Sequence, residues 1–252
     1  MIIKTKAMVI KEYIVGESDK YITLFTKDYG KIQAIAPKAK KTDRGFASAT
    51  QLFVYGDYIL TFYKDTYRLV NAEIIEMFHG IREDLERLSY ASYIMEFLQY
   101  VTEPMLIQPE LLKLAIVTLQ ALSRTQVNCH LVRRVFELRA LKELGFGIQL
   151  LACVDCGEVI IEDEEAAYFF SPEAGGLVCK RCKSYYKDWI EISFSTRYTI
   201  AYIMNAAHKA LYQFTITEDI QKQLDKVCEK YIPYYVDKSF KTLDFIGKIE
   251  AI

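Results

Sequence analysis

The sequence predicts an α+β chain of more than one domain: a small N-terminal β-barrel followed by an α-helical domain carrying an inserted four-cysteine module. Three observations predict this. Residues 1–80 break into short β-branched and aromatic runs separated by turn residues. From Asp84 the apolar residues recur at threes, fours and fives, the spacing of helix faces. Between 150 and 190 two Cys-x-x-Cys pairs interrupt that spacing. The expected division is 1–80 for the barrel, 81–149 with 191–252 for the helical domain, and 150–190 for the inserted module.

Ala7-Met8-Val9-Ile10 leads into Tyr13 and Val15 as a first strand, and Gly16-Glu17-Ser18-Asp19 turns the chain. Tyr21–Phe25 forms the second, and Asp28-Tyr29-Gly30 is a hairpin turn into Lys31–Ala36. Leu52–Tyr55, Tyr58–Tyr63 and Tyr67–Met77 bring the count to about five strands. So many short strands in so few residues favour a closed sheet, because closure removes exposed edges. Between the third and fourth strands, Pro37–Gly45 holds Lys38, Lys40, Lys41 and Arg44 with little apolar content, and reads as a basic loop.

Leu85, Leu88, Tyr93, Phe97 and Tyr100 mark a first helix that ends before Glu103-Pro104. Pro109 opens a second, running to about Leu122. Asn128 is the expected N-cap of a third, with Val132, Val135, Phe136, Leu138, Leu141 and Leu144 inward and Gly145 as its stop. Past the cysteines, helices are expected at about 195–212 and, capped by Thr217, at 218–231. Pro233 ends the latter.

At 52% hydrophobic and 26% charged over 252 residues, the composition is that of an ordinary soluble protein. No apolar run reaches the roughly 18 residues a membrane helix needs. The opening residues lack the apolar core of a signal peptide. The expected location is therefore cytoplasmic, with no membrane partner. The net charge of −1 conceals twelve Lys and Arg against nine Asp and Glu in residues 1–80, a surplus of three cations, and a deficit of four beyond them. By itself that asymmetry is weak support for nucleic-acid binding.

In a reducing compartment paired cysteines suggest metal before disulfide. Cys153-Val154-Asp155-Cys156 and Cys179-Lys180-Arg181-Cys182 each aim two thiolates at one point, and two such turns supply the tetrahedral sulfur set zinc prefers. The 22 residues between the pairs slightly exceed the typical spacing, which a longer hairpin accommodates. Gly157 and Gly175-Gly176 give the turns a permissive backbone, and Lys180 and Arg181 offset the two net negative charges of a zinc tetrathiolate. The expected cofactor is one structural Zn2+ on Cys153, Cys156, Cys179 and Cys182. Four ligands leave no open position for hydrolytic chemistry. Redox dithiols, buried free thiols and an iron–sulfur cluster are the competing readings. Cys129 and Cys228 lie in helical patterns and are expected in the core.

Motifs for catalysis are missing. The sequence has no GxxxxGK, no GxGxxG after a strand, no HExxH and no GxSxG, and only three histidines. Glu162-Asp163-Glu164-Glu165 reads as a solvated hairpin tip rather than a nuclease centre. The expectation is a protein that is not an enzyme.

Several segments resemble the RecO family of bacterial recombination mediators. They are Ala7–Lys20, Leu24–Lys31, Phe136-Glu137-Leu138-Arg139-Ala140-Leu141-Lys142-Glu143-Leu144-Gly145-Phe146, Cys153-Val154-Asp155-Cys156-Gly157, and Ser171–Cys182. They occur in the family's order over about residues 1–190. Where the family has a Gly-rich basic stretch, Pro37–Arg44 keeps the charge and not the glycine. The resemblance implies that the barrel is an OB-fold DNA-binding domain, that the helical domain follows, and that the zinc module is inserted in it. It also implies binding of single- and double-stranded DNA and annealing of complementary strands. The expected partners are RecR and single-strand-binding protein, with loading of RecA as an indirect partnership, and the expected setting is the nucleoid.

An OB barrel holds a strand by a cationic groove and by stacking bases on rings. The cations available are Lys6, Lys20, Lys27, Lys38, Lys40, Lys41 and Arg44, and the cluster at 38–44 gains most from phosphate neutralisation. Tyr13, Tyr21, Tyr29, Phe53, Tyr55 and Tyr63 are the available rings, with core packing as the competing role of each. Arg133 and Arg134 on the third helix could extend the DNA track. The rival readings are a zinc-containing protein–protein adaptor with no annealing role, and a nuclease.

Overall fold

A computed structural model of the chain describes residues 1–40, 46–124, 126 and 128–249. The chain forms two compact units, one of Met1–Cys129 together with the chain from Phe240 onward, the other of His130–Ser239.

The first unit begins with β1 (Ile2–Val15), β2 (Asp19–Thr26) and β3 (Gly30–Ala36), then a short helix α1 (Phe46–Ala49), β4 (Tyr55–Tyr63) and β5 (Thr66–Glu76). The strands close in the order β1-β2-β3-β5-β4, with β3 and β5 parallel through Ala34–Tyr67 and Ile35–Arg68 and the other pairs antiparallel. That is the OB-fold barrel, with helices following it and a four-cysteine cluster among them, so the chain is α+β as expected. Val9, Ile22, Leu24, Ala34, Tyr58, Leu60 and Leu69 fill the barrel, and the Tyr58 hydroxyl satisfies itself by donating to the Ala49 carbonyl at 2.7 Å.

Two strand expectations change. β1 starts at Ile2, not Ala7, and its register shifts between Val9 and Lys11. The segment expected as a strand at Leu52–Tyr55 enters the ladder only at Tyr55. Phe53 adopts a left-handed backbone (φ 76) and is buried. The Phe53 N–H donates to the Val9 carbonyl at 2.9 Å, and the Val9 N–H to the Val54 carbonyl at 2.9 Å. The segment thus docks onto the irregular part of β1 instead of extending a strand. Arg82 fixes it by donating to the Leu52 carbonyl at 2.6 Å.

The helices of this unit are α2 (His79–Arg82), α3 (Leu85–Val101) and α4 (Pro109–Leu122). α3 is capped by the Asp84 carboxylate, which accepts from the Arg87 N–H at 2.9 Å. Lys31 reaches from β3 to the other end of α3, donating to the Gln99 carbonyl at 2.7 Å and to that of Thr102. Burial in this position lowers the Lys31 pKa. A cation at the helix C-terminus meets carbonyls that lack an intrahelical partner. The barrel is thereby tied to the helices that follow it.

The second unit opens with α5 (Cys129–Glu143). Gly145 (φ 94) stops this helix as expected, with the Phe146 N–H donating back to the Leu141 carbonyl at 2.7 Å. A three-stranded sheet follows, of β6 (Tyr168–Ser171), β7 (Gly176–Val178) and β8 (Ile190–Ile192), in the order β7-β6-β8. Then come α6 (Phe194–Asn205), capped by Ser193, and α7 (Glu218–Tyr231), capped by Thr217 as expected. α6 stops at Asn205 rather than near 212, and Arg139 donates to the buried carbonyls of Ile203 and Met204 in its last turn at 3.1 and 2.6 Å. A final helix, α8 (Lys241–Ile249), belongs to the first unit and lies in the tail for which no element was expected. Phe240 just before it packs edge-on against Tyr93 of α3, with ring centroids 5.3 Å apart.

Candidate metal centre and nucleic-acid interface

The cysteine module is assembled by one close approach. Residues Gln149–Val154 run alongside β7. The Gln149 N–H donates to the Gly175 carbonyl (3.0 Å), the Leu177 N–H to the Gln149 carbonyl (2.9 Å) and the Val154 N–H to the Leu177 carbonyl (3.0 Å). A Cβ at Gly176 would stand 2.6 Å from the Gln149 oxygen and 2.7 Å from Val154 Cγ1, so only glycine permits this pairing. The first turn then closes through Gly157 (φ 73), whose N–H donates to the Cys153 carbonyl at 2.9 Å. β7 delivers Cys179 beside it, and a 3-10 turn over Cys182–Tyr185 carries the last thiol.

The four sulfurs of Cys153, Cys156, Cys179 and Cys182 lie within 4.8 Å of one another. All are free thiols. Sulfurs about 2.3 Å from a tetrahedral centre stand about 3.8 Å apart, and those of Cys156 and Cys179 are 3.8 Å apart. The donor set and its dimensions fit a metal ion. Local electrostatics favour thiolate at one ligand. Burial raises the Cys153 pKa, but the N–H groups of Cys156, Cys179 and Asp155 outweigh it and bring the thiol to about 6. The Cys182 pKa is raised, first by hydrogen bonding with Asp155, then by burial and the neighbouring thiols. Four adjacent thiols resist joint ionisation unless a cation sits among them. Arg181, beside Cys156 and Cys182, is held in its charged form by them. Cys153 and Cys182 belong to a small apolar cluster with Phe169 and Val178.

The candidate DNA-binding cations fall into separate groups. Lys38 and Lys40 are exposed and stand at the β1–β2 turn: the Lys38 N–H donates to the Asp19 carboxylate at 2.8 Å and the Lys40 N–H to the Ser18 carbonyl at 3.0 Å. Lys20 is beside them on β2 and pairs with Glu12 at 2.5 Å. Lys41 and Arg44 lie outside the described residues. Lys6 and Lys27 are neighbours elsewhere on the barrel, joined by the Lys27 N–H donating to the Lys6 carbonyl at 2.8 Å, and Lys6 pairs with Asp57 at 3.3 Å. Arg133 stands 3.5 Å from Glu137. Arg134 is only 4% exposed, and its guanidinium bonds Asp225 (2.7 Å), Glu229 (3.1 Å) and Glu137 (3.2 Å). Enclosed in this way, it presents no cation to a phosphate, contrary to the expectation that it extends the DNA track.

Comparison with known proteins covers the chain nearly end to end. A family profile described as "Recombination protein O N terminal" matches residues 1–78, and "Recombination protein O C terminal" matches residues 82–244. The chain belongs to the RecO family. A DNA repair protein RecO of Acetivibrio thermocellus is 32% identical over 250 residues, covering 99% of this chain and 98% of its own length. That of Alkaliphilus metalliredigens is 30% identical over 250 residues, covering 99% and 100%, and that of a Thermoanaerobacter strain 30% over 249 residues, covering 99% and 98%.

In this RecO-family chain the barrel also presents groups that sequence reasoning did not place in the DNA set. Tyr13 and Tyr21 face each other across β1 and β2, with parallel rings 5.4 Å apart. Tyr21 lies opposite Ile35, and Ile35 opposite Arg68, so these four share one row across the sheet. The two tyrosines were legible as rings. Arg68 had no local signal, because only the parallel β3–β5 register brings it there. Among the described residues no helix is long and apolar enough to cross a membrane.

Proposed function

We propose that this protein is a non-enzymatic mediator of DNA repair and recombination. It binds single- and double-stranded DNA through its barrel, anneals complementary strands and, with RecR, helps load RecA onto DNA coated by single-strand-binding protein. Membership of the RecO family along the whole chain carries this reading. The exposed Lys38 and Lys40, tethered by backbone hydrogen bonds to the β1–β2 turn, support the barrel's part in it.

Annealing needs no bond made or broken. Two strands approaching in solution repel over roughly the 10 Å Debye length of 0.1 M salt. A surface of lysines held in place by backbone bonds replaces condensed counterions on both strands, lowers that repulsion and raises their local concentration. Lys38 and Lys40 are assigned this role, with Lys41 and Arg44 as their neighbours in sequence, Lys20 near the same turn, Lys6 and Lys27 elsewhere on the barrel and Arg133 in the second unit. The cysteine cluster takes the structural part: a Zn2+ held by Cys153, Cys156, Cys179 and Cys182 fixes the Gln149–Gly157 segment to β7 and leaves no open coordination position. The protein acts in the cytoplasm, on the nucleoid.

The test is DNA affinity and strand annealing as functions of salt, for the parent and for Lys40→Glu with Lys41→Glu. Parent affinity should fall steeply between low and moderate salt with little base preference. The variant should bind more weakly, with a shallower salt slope by about one unit per lost phosphate contact. Affinity independent of salt, with no annealing, would leave the adaptor reading in its place.

A further inference from the structure

We propose that the β1–β2 hairpin is a base-stacking arm: Tyr13 and Tyr21 hold unpaired nucleotide bases and make the barrel prefer single strands to duplex. This rests on the DNA-binding reading above and adds to it a site and the state of the strand it takes.

The arm is set apart by its pairing. β1 pairs with β4 only from Ile2 to Met8. Beyond the irregularity between Val9 and Lys11 its ladder partner is β2 alone, through Val15 opposite Asp19. Side chains are exposed on both faces of this stretch, Tyr13 at 48% and Ile14 at 56%. Ordinary small barrels turn one face of each strand into the core. An aromatic and an aliphatic side chain half-exposed on opposite faces leave apolar surface that the fold itself does not cover.

The rings are arranged to extend a stack. Their planes differ by 6°, so the open face of Tyr13 continues the same stacking direction, and any base can join because every base has a π-face. Cations border the row. Arg68 is exposed at its far end, Lys11 is exposed two residues before Tyr13 on the same side of the strand, and exposed Lys38 is bonded to Asp19. The carboxylates that could repel a phosphate here are largely occupied by other partners. Asp19 accepts from the Lys38 N–H and the Ser18 hydroxyl, and Glu12 from Lys20 and the Leu52 N–H. Glu17 alone of these stands exposed in the turn without such a bond among the described contacts. Aromatic faces with flanking positive charge match a nucleotide, whose base is flat and whose linkage is anionic. In a duplex the base faces are already stacked on one another, so the rings add binding only to a single strand.

The experiment measures binding of the full chain to oligo(dT) and to a duplex of equal length, for the parent, for Tyr13→Ala with Tyr21→Ala, and for Tyr13→Phe with Tyr21→Phe. Stacking contributes about 1–3 kcal/mol per base, so the alanine variant should bind oligo(dT) roughly fivefold to a hundredfold more weakly. Its duplex affinity should be unchanged, and the phenylalanine variant should resemble the parent. Equal losses on both substrates, or none on oligo(dT), overturn the arm. If Lys40→Glu with Lys41→Glu weakens both substrates while the alanine variant weakens neither, the arm fails and the DNA-binding reading stands. Should the alanine variant misfold, a 5-iodouracil oligonucleotide crosslinked to the parent decides the matter. An adduct on Tyr13 or Tyr21 is expected, and adducts confined elsewhere overturn the proposal.

Discussion

Replacing Arg134 with alanine separates a folding role from a DNA-binding role at one residue. Its side chain is 5% exposed and bridges three carboxylates, of which Glu137 is also buried. Removing one partner of a buried ion pair typically costs about 3–5 kcal/mol, because the other charge stays buried. Here the low end applies: Glu137 keeps Arg133 at 3.5 Å, Asp225 keeps His130 at 2.7 Å, and Glu229 is exposed and adds little. The expected loss is about 3 kcal/mol. The acidity of Asp225 shows what its two donors, His130 and Arg134, supply together. Burial raises the Asp225 carboxyl, but the bonds from His130 and Arg134 outweigh it and bring it from 3.8 to about 2, a difference worth about 2 kcal/mol. Because this carboxyl is depressed in the folded state, its contribution is complete above its ordinary 3.8 and is lost as pH falls through about 2. With one donor gone, Asp225 takes its proton at higher pH, so acid unfolding of the variant should begin earlier. Urea unfolding at pH 7 should show the lost stability. The melting temperature should drop by about 6–12 °C, at roughly 2–4 °C per kcal/mol for a chain of this size. DNA affinity, measured at a temperature where the variant is folded, should match the parent. Parent-like stability with weakened DNA binding would refute the reasoning and return Arg134 to the DNA surface.

Three further outcomes are expected at the cysteine module. Cys179→Ser should lose both metal and stability, because metal binding is part of the folding free energy. Elemental analysis of a folded variant retaining one ion per chain would contradict this. In the parent, bound metal should be released as pH falls and the thiolates take up protons. Emission of Trp189 should follow that release, since its ring packs 5.3 Å from Phe169, a neighbour of Cys153 and Cys182. Gly176→Ala should cost about 1–3 kcal/mol through overpacking and loosen metal, as its new methyl meets Gln149 and Val154. An unchanged melting temperature would mean that the Gln149 segment does not depend on close approach to β7.

Much of this protein is written locally. The paired cysteines are legible because a two-residue spacer alone aims two thiols at one point. Gly145 and Thr217 announce helix ends because the conformation or the cap each supplies depends only on neighbours in the chain. α8 was not legible: it lies in a tail without a strong start signal, and its place is marked by Phe240 against Tyr93 of α3. Likewise Leu52–Val54 has strand composition, yet its backbone hydrogen bonds go to the irregularity in β1.

The amino-acid order by itself determined that a barrel precedes helices, that four sulfurs converge, and that basic residues crowd 38–44. Each follows from turn chemistry, periodicity or charge within a few residues. Only the tertiary structure decided that Arg134 is enclosed by acids some 90 residues away in sequence while Tyr13, Tyr21 and Arg68 share an open row. Burial and strand register are settled by what the rest of the chain packs against each residue, and a cation or ring looks the same in sequence whichever way that falls.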